Sequence, residues 1–127
     1  MPTPGRGSLC CVLFNSCADG ARQAGAQCRE LILSDIRFDH NVHEALPEKQ
    51  SLEPDLVPAQ RVIYWAEHLV FVYPTWWGTF PALLKGFRDR VVPPGFAFRD
   101  VSPDKWDELL AGRTADLITT MDTPPLV

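Results

Sequence analysis

Apolar positions change period several times along the chain. At 69–73 every residue is apolar, Leu69-Val70-Phe71-Val72-Tyr73, and Pro74 closes the run. An unbroken run of that length predicts a strand covered on both faces, the habit of a parallel sheet. Residues 27–33, with Cys28, Leu31, Ile32 and Leu33 apolar, predict a second strand, and 115–119 a third. Elsewhere the spacing is helical. Ala59, Ile63 and Ala66 form one stripe behind Pro54 and Pro58, and proline suits a first helical turn, whose N–H groups have no partner in the helix. Pro81 opens another helix through Val91, with Leu83, Leu84 and Phe87 on the buried side and Lys85, Arg88 and Arg90 on a solvated face. Pro93-Pro94-Gly95 breaks it. A short helical piece is predicted over 104–111.

Residues 8–25 admit two readings. Leu9-Cys10-Cys11-Val12-Leu13-Phe14 has some strand character. Yet Ser8 suits an N-cap, and Cys17, Ala18, Ala21 and Ala24 continue the apolar positions at helical spacing before Gly25 offers a stop. We read this segment as a helix. Residues 1–7 form a Pro/Gly-rich loop, 34–52 a polar irregular segment anchored by Phe38 and Leu46, and 120–127 a terminal loop. Helix, strand, helix, strand, helix, strand is the order of βαβ units, so the fold class is α/β with a parallel sheet and helices on both faces. Ligands in such sheets bind beyond the carboxyl ends of the strands. That points to 74–80 and 119–124.

Composition narrows the function classes. The 127 residues suffice for one domain with a core. A net charge of -4 disfavours nucleic acid, whose phosphates call for a concentrated basic surface. No apolar run approaches the roughly 18 residues of a membrane span, and the start of the chain carries no secretory pattern. The expected place of work is the cytoplasm. Cys10, Cys11, Cys17 and Cys28 lack C-x-x-C spacing and are read as reduced, partly buried small hydrophobes. His40, His43 and His68 are read as surface histidines, so no metal site is expected.

The segment after the clearest strand carries the strongest signal. Tyr73-Pro74-Thr75-Trp76-Trp77-Gly78-Thr79-Phe80-Pro81-Ala82-Leu83-Leu84-Lys85-Gly86-Phe87-Arg88-Asp89-Arg90-Val91 resembles the P-x-W-W-x-x-x-P-A-x-L-K-G-x-x-D-R-V segment of flavodoxin-like NAD(P)H:quinone oxidoreductases. Gly95-Phe96-Ala97-Phe98 extends the likeness. Asp35-Ile36-Arg37-Phe38-Asp39 resembles the family's D-L-x-F-D after its second strand, and Leu117-Ile118-Thr119-Thr120 its fourth strand and flavin loop. Ser8-Leu9 and Ala24-Gly25-Ala26 match its first helix in register.

The resemblance spans nearly the whole chain. It implies a single flavodoxin-like domain over 1–127, with a doubly wound parallel sheet. It also implies a non-covalent flavin, FMN or FAD, with NAD(P)H as co-substrate and a quinone-like acceptor. Two-electron hydride transfer would run through the flavin, and most of that chemistry is the cofactor's, so no catalytic acid or base is assigned. Carried over residue by residue, the cofactor-binding positions are Ser8 and Leu9 at the first helix, Thr75, Trp76, Trp77 and Gly78 after the third strand, and Thr119, Thr120, Met121 and Asp122 after the fourth. The family often has glycines where Met121 and Asp122 stand. A homodimer is implied, with Phe96 and Phe98 as candidates for its surface.

Measured against the family, the chain starts inside the phosphate loop, with Met1 near the family's histidine. The first strand and a C-terminal helix–strand–helix have no counterpart in it. An incomplete sheet of marginal stability and little turnover is therefore expected. Two other readings stand beside this one. One is a non-catalytic flavodoxin-fold fragment acting as a dimerising or regulatory subunit; separately, Trp76 and Trp77 also admit a reading as plain core or interface aromatics. A one-electron carrier fits less well, because such carriers are typically far more acidic.

Overall fold

The computed structural model describes residues 7–46 and 49–122. The readings made at 1–6, 47–48 and 123–127 lie outside the described residues. In chain order the elements are α1 (Leu9–Gln23), a 3-10 turn (Leu33–Asp35), α2 (Leu56–Trp65), β1 (His68–Pro74), α3 (Ala82–Val91), β2 (Phe98–Ser102), β3 (Lys105–Glu108) and β4 (Thr114–Thr120). They group into two compact units. One comprises Met1–Glu30, Val70–Pro81 and Ala115–Val127, the other Leu31–Leu69 and Ala82–Thr114.

In the first unit the helical reading of 8–25 holds. Ser8 is extended and its side chain accepts the amide of Cys11 at 3.2 Å, satisfying one of the first-turn donors. The far end closes as a Schellman motif: Ala26 N donates to Ala21 O at 3.0 Å and Gly25 N to Arg22 O at 2.9 Å. Gly25 sits at φ 90°, where a side chain is strained. Strands β1 and β4 pair in a two-stranded sheet. Thr114 N donates to Glu67 O near one end and Thr75 N to Thr120 O at the other, so the strands run parallel. The prediction that the 69–73 run is covered on both faces does not hold in full. Val70 stays 37% exposed, and β4 is open enough to leave Leu117 at 66%.

The expected strand at 27–33 forms no ladder among the described residues. Its apolar side chains find another use: Leu31 and Leu33 pack against the core of the second unit. The backbone then tightens, with Asp35 N donating to Ile32 O at 3.0 Å and Ile36 N to Leu33 O at 3.3 Å.

That core consists of Leu56, Ala59 and Ile63 on α2 and Phe87 and Val91 on α3. Ala59, Ile63 and Phe87 come from the expected stripes, whereas Leu83 and Leu84 are only half-buried and Val91 takes the core position on α3. Phe38 meets Phe87 edge to face at 6.0 Å, and Gln60 Nε2 caps the α3 backbone at Val91 O, 3.0 Å. Two sequence expectations fail in this unit. Arg90 is not on the solvated face; it is 2% exposed. One of its terminal nitrogens donates to Ser51 O and to Glu53 Oε2, each at 2.7 Å. The segment 104–111 is not helical either. Lys105–Glu108 pairs antiparallel with Phe98–Ser102, Asp100 opposite Trp106 and Phe98 opposite Glu108. Pro103-Asp104 supplies turn residues, Arg99 reaches Asp107 at 2.8 Å across the pair, and Leu109 N continues the ladder to Ala97 O at 2.8 Å. A four-residue segment offered a partner strand gains more from cross-strand pairing than from a single helical turn.

Among the described residues no helix is long and apolar enough to cross a membrane. Among the described residues no group of three or more His, Cys, Asp or Glu is placed to hold a metal ion. All four cysteines are free, Cys10 buried and the others partly so. His43 lies at the surface, paired with Asp39 at 2.7 Å.

Candidate functional site

The end of β1 runs into a tight turn. Trp76 N donates to Thr79 O at 2.9 Å and Thr79 N returns to Trp76 O at 3.1 Å. The two residues between them, Trp77 and Gly78, both lie in left-handed backbone, at φ 54° and 76°. Positive φ at both central positions is the signature of a two-residue hairpin turn of the primed type. Gly78 adopts it freely, whereas for a bulky residue such as Trp77 the left-handed region costs about 1–2 kcal/mol. Trp77 also projects wholly into solvent, 100% exposed, and Trp76 is 41% exposed. A strained residue with an unburied indole gains nothing from packing, and strain of this kind collects at functional sites. Below the turn, Tyr73 and Phe80 meet edge to face at 6.3 Å and tie its two arms together.

Thr119 and Thr120 end β4 beside this turn. Thr75 N donates to Thr120 O at 2.7 Å, and the Thr75 and Thr119 hydroxyls are hydrogen-bonded to each other. The Thr120 hydroxyl in turn shares a hydrogen bond with the Cys10 thiol at 3.2 Å, in the first turn of α1. Three segments far apart in sequence therefore meet in one unit: the start of α1, the turn after β1 and the end of β4.

The positions named from sequence divide by what they have left to offer. Ser8 spends an acceptor on its own helix cap, and Leu9 turns its side chain out, 63% exposed. What Leu9 and Cys10 retain is first-turn N–H groups, which have no acceptor inside a helix. The amides of Thr75 and Trp76 are consumed by Thr120 and Thr79, whereas those of Trp77 and Gly78 take no backbone acceptor among the described residues. Met121 is 50% exposed and Asp122 is also open to solvent, so both carry side chains where the family often has none. Cys10, Tyr73 and Phe80 were not singled out from sequence. Tyr73 and Phe80 lay inside the quoted motif, but Cys10 and Thr120 are 110 positions apart and no spacing rule joins them.

Comparison with known proteins bears on the family and the fold. A family model described as flavodoxin-like fold matches residues 2–126. A ribosyldihydronicotinamide dehydrogenase-like protein, traD, of Penicillium crustosum is 36% identical over 80 residues, covering 58% of this chain and 30% of its own length. The ribosyldihydronicotinamide dehydrogenase [quinone] of Homo sapiens is 40% identical over 86 residues, covering 65% of this chain and 36% of its own. The chain thus spans about a third of these curated relatives. Among solved structures, a proposed quinone reductase of Klebsiella pneumoniae superposes with a TM-score of 0.79 at 26% identity, over 94% of this chain and 56% of the other. The NAD(P)H:quinone oxidoreductase of Methanothermobacter marburgensis gives 0.75 over 98% and 65%, and at 24% identity it speaks to the fold alone.

Proposed function

The chain belongs to the family of flavodoxin-like fold, and from that premise we propose that its first unit holds the ring of a flavin, FMN or FAD, for NAD(P)H-dependent reduction of a quinone-like acceptor. The observation that carries this reading is the bonded junction of Cys10, Thr75, Thr119 and Thr120 beside the strained Trp77–Gly78 turn. A bound flavin supplies hydride acceptance from the nicotinamide and hydride donation to the quinone. The chain's own residues have binding and orientation to do. Trp76 and Trp77 offer flat apolar surface for one side of a ring. The amides of Trp77 and Gly78, which take no backbone acceptor among the described residues, are donors of the kind that ring nitrogens and carbonyl oxygens accept, and the first-turn amides of α1 suit an anionic group. Thr119 and Thr120 would border the ring from the end of β4. Met121 and Asp122 fit less directly, since their side chains stand where close backbone approach would favour glycine.

The proposed homodimer surface narrows to Phe98, which is 36% exposed, because Phe96 packs against the core of the second unit.

The test is titration with FMN and, separately, with FAD, read by flavin absorbance and fluorescence, on the native chain and on Trp77→Asn. Asparagine tolerates left-handed backbone, so the turn persists while the indole is lost. The variant is expected to gain about 1 kcal/mol in stability from relieved strain and to lose FMN affinity at least about fivefold with the aromatic contact. Failure of the native chain to bind either FMN or FAD, or equal affinity in the variant, would sink this reading.

A further inference from the structure

Cys10 occupies the second position of α1 and is 8% exposed, the buried member of the four cysteines. Its thiol has one side-chain partner, the Thr120 hydroxyl at 3.2 Å. Thr120 is the residue whose carbonyl receives the Thr75 amide at 2.7 Å, and Thr75 bonds through its own hydroxyl to Thr119. Either group can donate in this contact, the thiol S–H to the hydroxyl oxygen or the hydroxyl O–H to the sulfur. The thiol thus joins the first turn of α1 to the paired ends of β1 and β4 through a side-chain hydrogen bond.

We infer that Cys10 is a positioning residue: it fixes the rotamer of Thr120, and through it the register of the β4 end against Thr75, so that both flavin-bordering segments are set before any ligand arrives. This inference rests on the flavin reading above. It goes further in assigning the set of the β4 end to a side chain outside both ring-bordering segments. A small apolar residue at position 10 would fill the space without holding Thr120. Serine keeps a short donor there and should restore it.

The measurements are made on the full chain with Cys10→Ala and Cys10→Ser. The first is amide hydrogen exchange without ligand. Thr75 should exchange about three- to tenfold faster in Cys10→Ala, the factor expected for losing one neutral hydrogen bond, and return near the native rate in Cys10→Ser. The Gly25 and Ala26 amides at the far end of α1 should not change. Unchanged exchange at Thr75, or an equal rise at both ends of the helix, would overturn the positioning role. The second measurement is FMN titration, where Cys10→Ala should weaken binding and shift the bound flavin's visible spectrum, with serine rescuing both. Equal affinity and an identical spectrum in Cys10→Ala would also overturn it. If the native chain takes up neither FMN nor FAD, the flavin reading falls, while the exchange experiment still decides what Cys10 does.

Discussion

Replacing Arg90 with alanine is expected to destabilise the second unit by about 3 kcal/mol, the lower end of what breaking a buried ion pair costs. The guanidinium is nearly inaccessible, its Glu53 partner is 26% exposed at the side chain, and the same guanidinium nitrogen also holds the Ser51 carbonyl. Truncation therefore leaves a void beside α3 and two acceptors without their donor. At this chain length the loss corresponds to a fall in Tm of roughly 10 °C. Arg90→Met, which keeps most of the stem's volume, should lose less. A thermal unfolding series of the native chain, Arg90→Met and Arg90→Ala should fall in that order. If alanine unfolds at the native temperature, the pair contributes nothing.

The same network predicts a pH dependence. Burial opposes the charge on Glu53, but the amides of Glu53 and Asp39 and the Arg90 guanidinium outweigh it and hold the carboxyl below the usual glutamate range. A carboxyl depressed in the folded state contributes stability that is present above its unfolded value, here 4.5, and lost as pH falls through its folded value. Unfolding free energy measured from pH 7 downward should thus decline below about 4.5. That decline should be shallower in Glu53→Gln. Parallel curves would show that the carboxyl does not sense folding.

Arg90 also marks where sequence reading runs out. Its spacing from Phe87 and Val91 is three and one residues, and a charged residue on an amphipathic helix ordinarily faces water. Nothing local announces that Ser51 and Glu53, nearly forty positions earlier, will fold over it. What was legible was what one element decides for itself. The cap at Ser8, the stripe of Ala59 and Ile63, and the parallel strands ending at Pro74 and Thr120 all follow from local chemistry and period. The segments at 27–33 and 104–111 were misread because short apolar runs take their form from whichever partner is present. Leu31 and Leu33 met a helical core, and Lys105–Glu108 met Phe98–Ser102. For the candidate site the motif located the turn, but not the positive φ of Trp77, the consumption of the Thr75 and Trp76 amides, or the Cys10–Thr120 contact. Each of these is a property of a pair of segments.

Gly86→Ala should be the other strongly destabilising change, although helix propensity alone argues the reverse. In the middle of α3, alanine would gain about 1 kcal/mol over glycine. A Cβ at position 86, however, would lie 2.2 Å from His40 Cβ, 2.9 Å from His40 O and 3.0 Å from His40 Cα. These are backbone and near-backbone atoms, so no side-chain rotation relieves the contact. The chain at 38–40 would have to retreat from α3. Phe38 belongs to that chain and packs its edge on Phe87, so the retreat opens the core. Overpacking of this kind costs about 1–3 kcal/mol, and contact with backbone belongs at the upper end. The net expectation is a loss of about 2 kcal/mol, with Gly86→Val worse than alanine on both packing and propensity. Denaturant unfolding of the two variants tests it. A more stable Gly86→Ala would mean that propensity wins and that 38–40 yields freely. A loss confined to the second unit, with exchange at Thr75 and Thr120 unchanged, would separate this packing constraint from the chemistry of the candidate site.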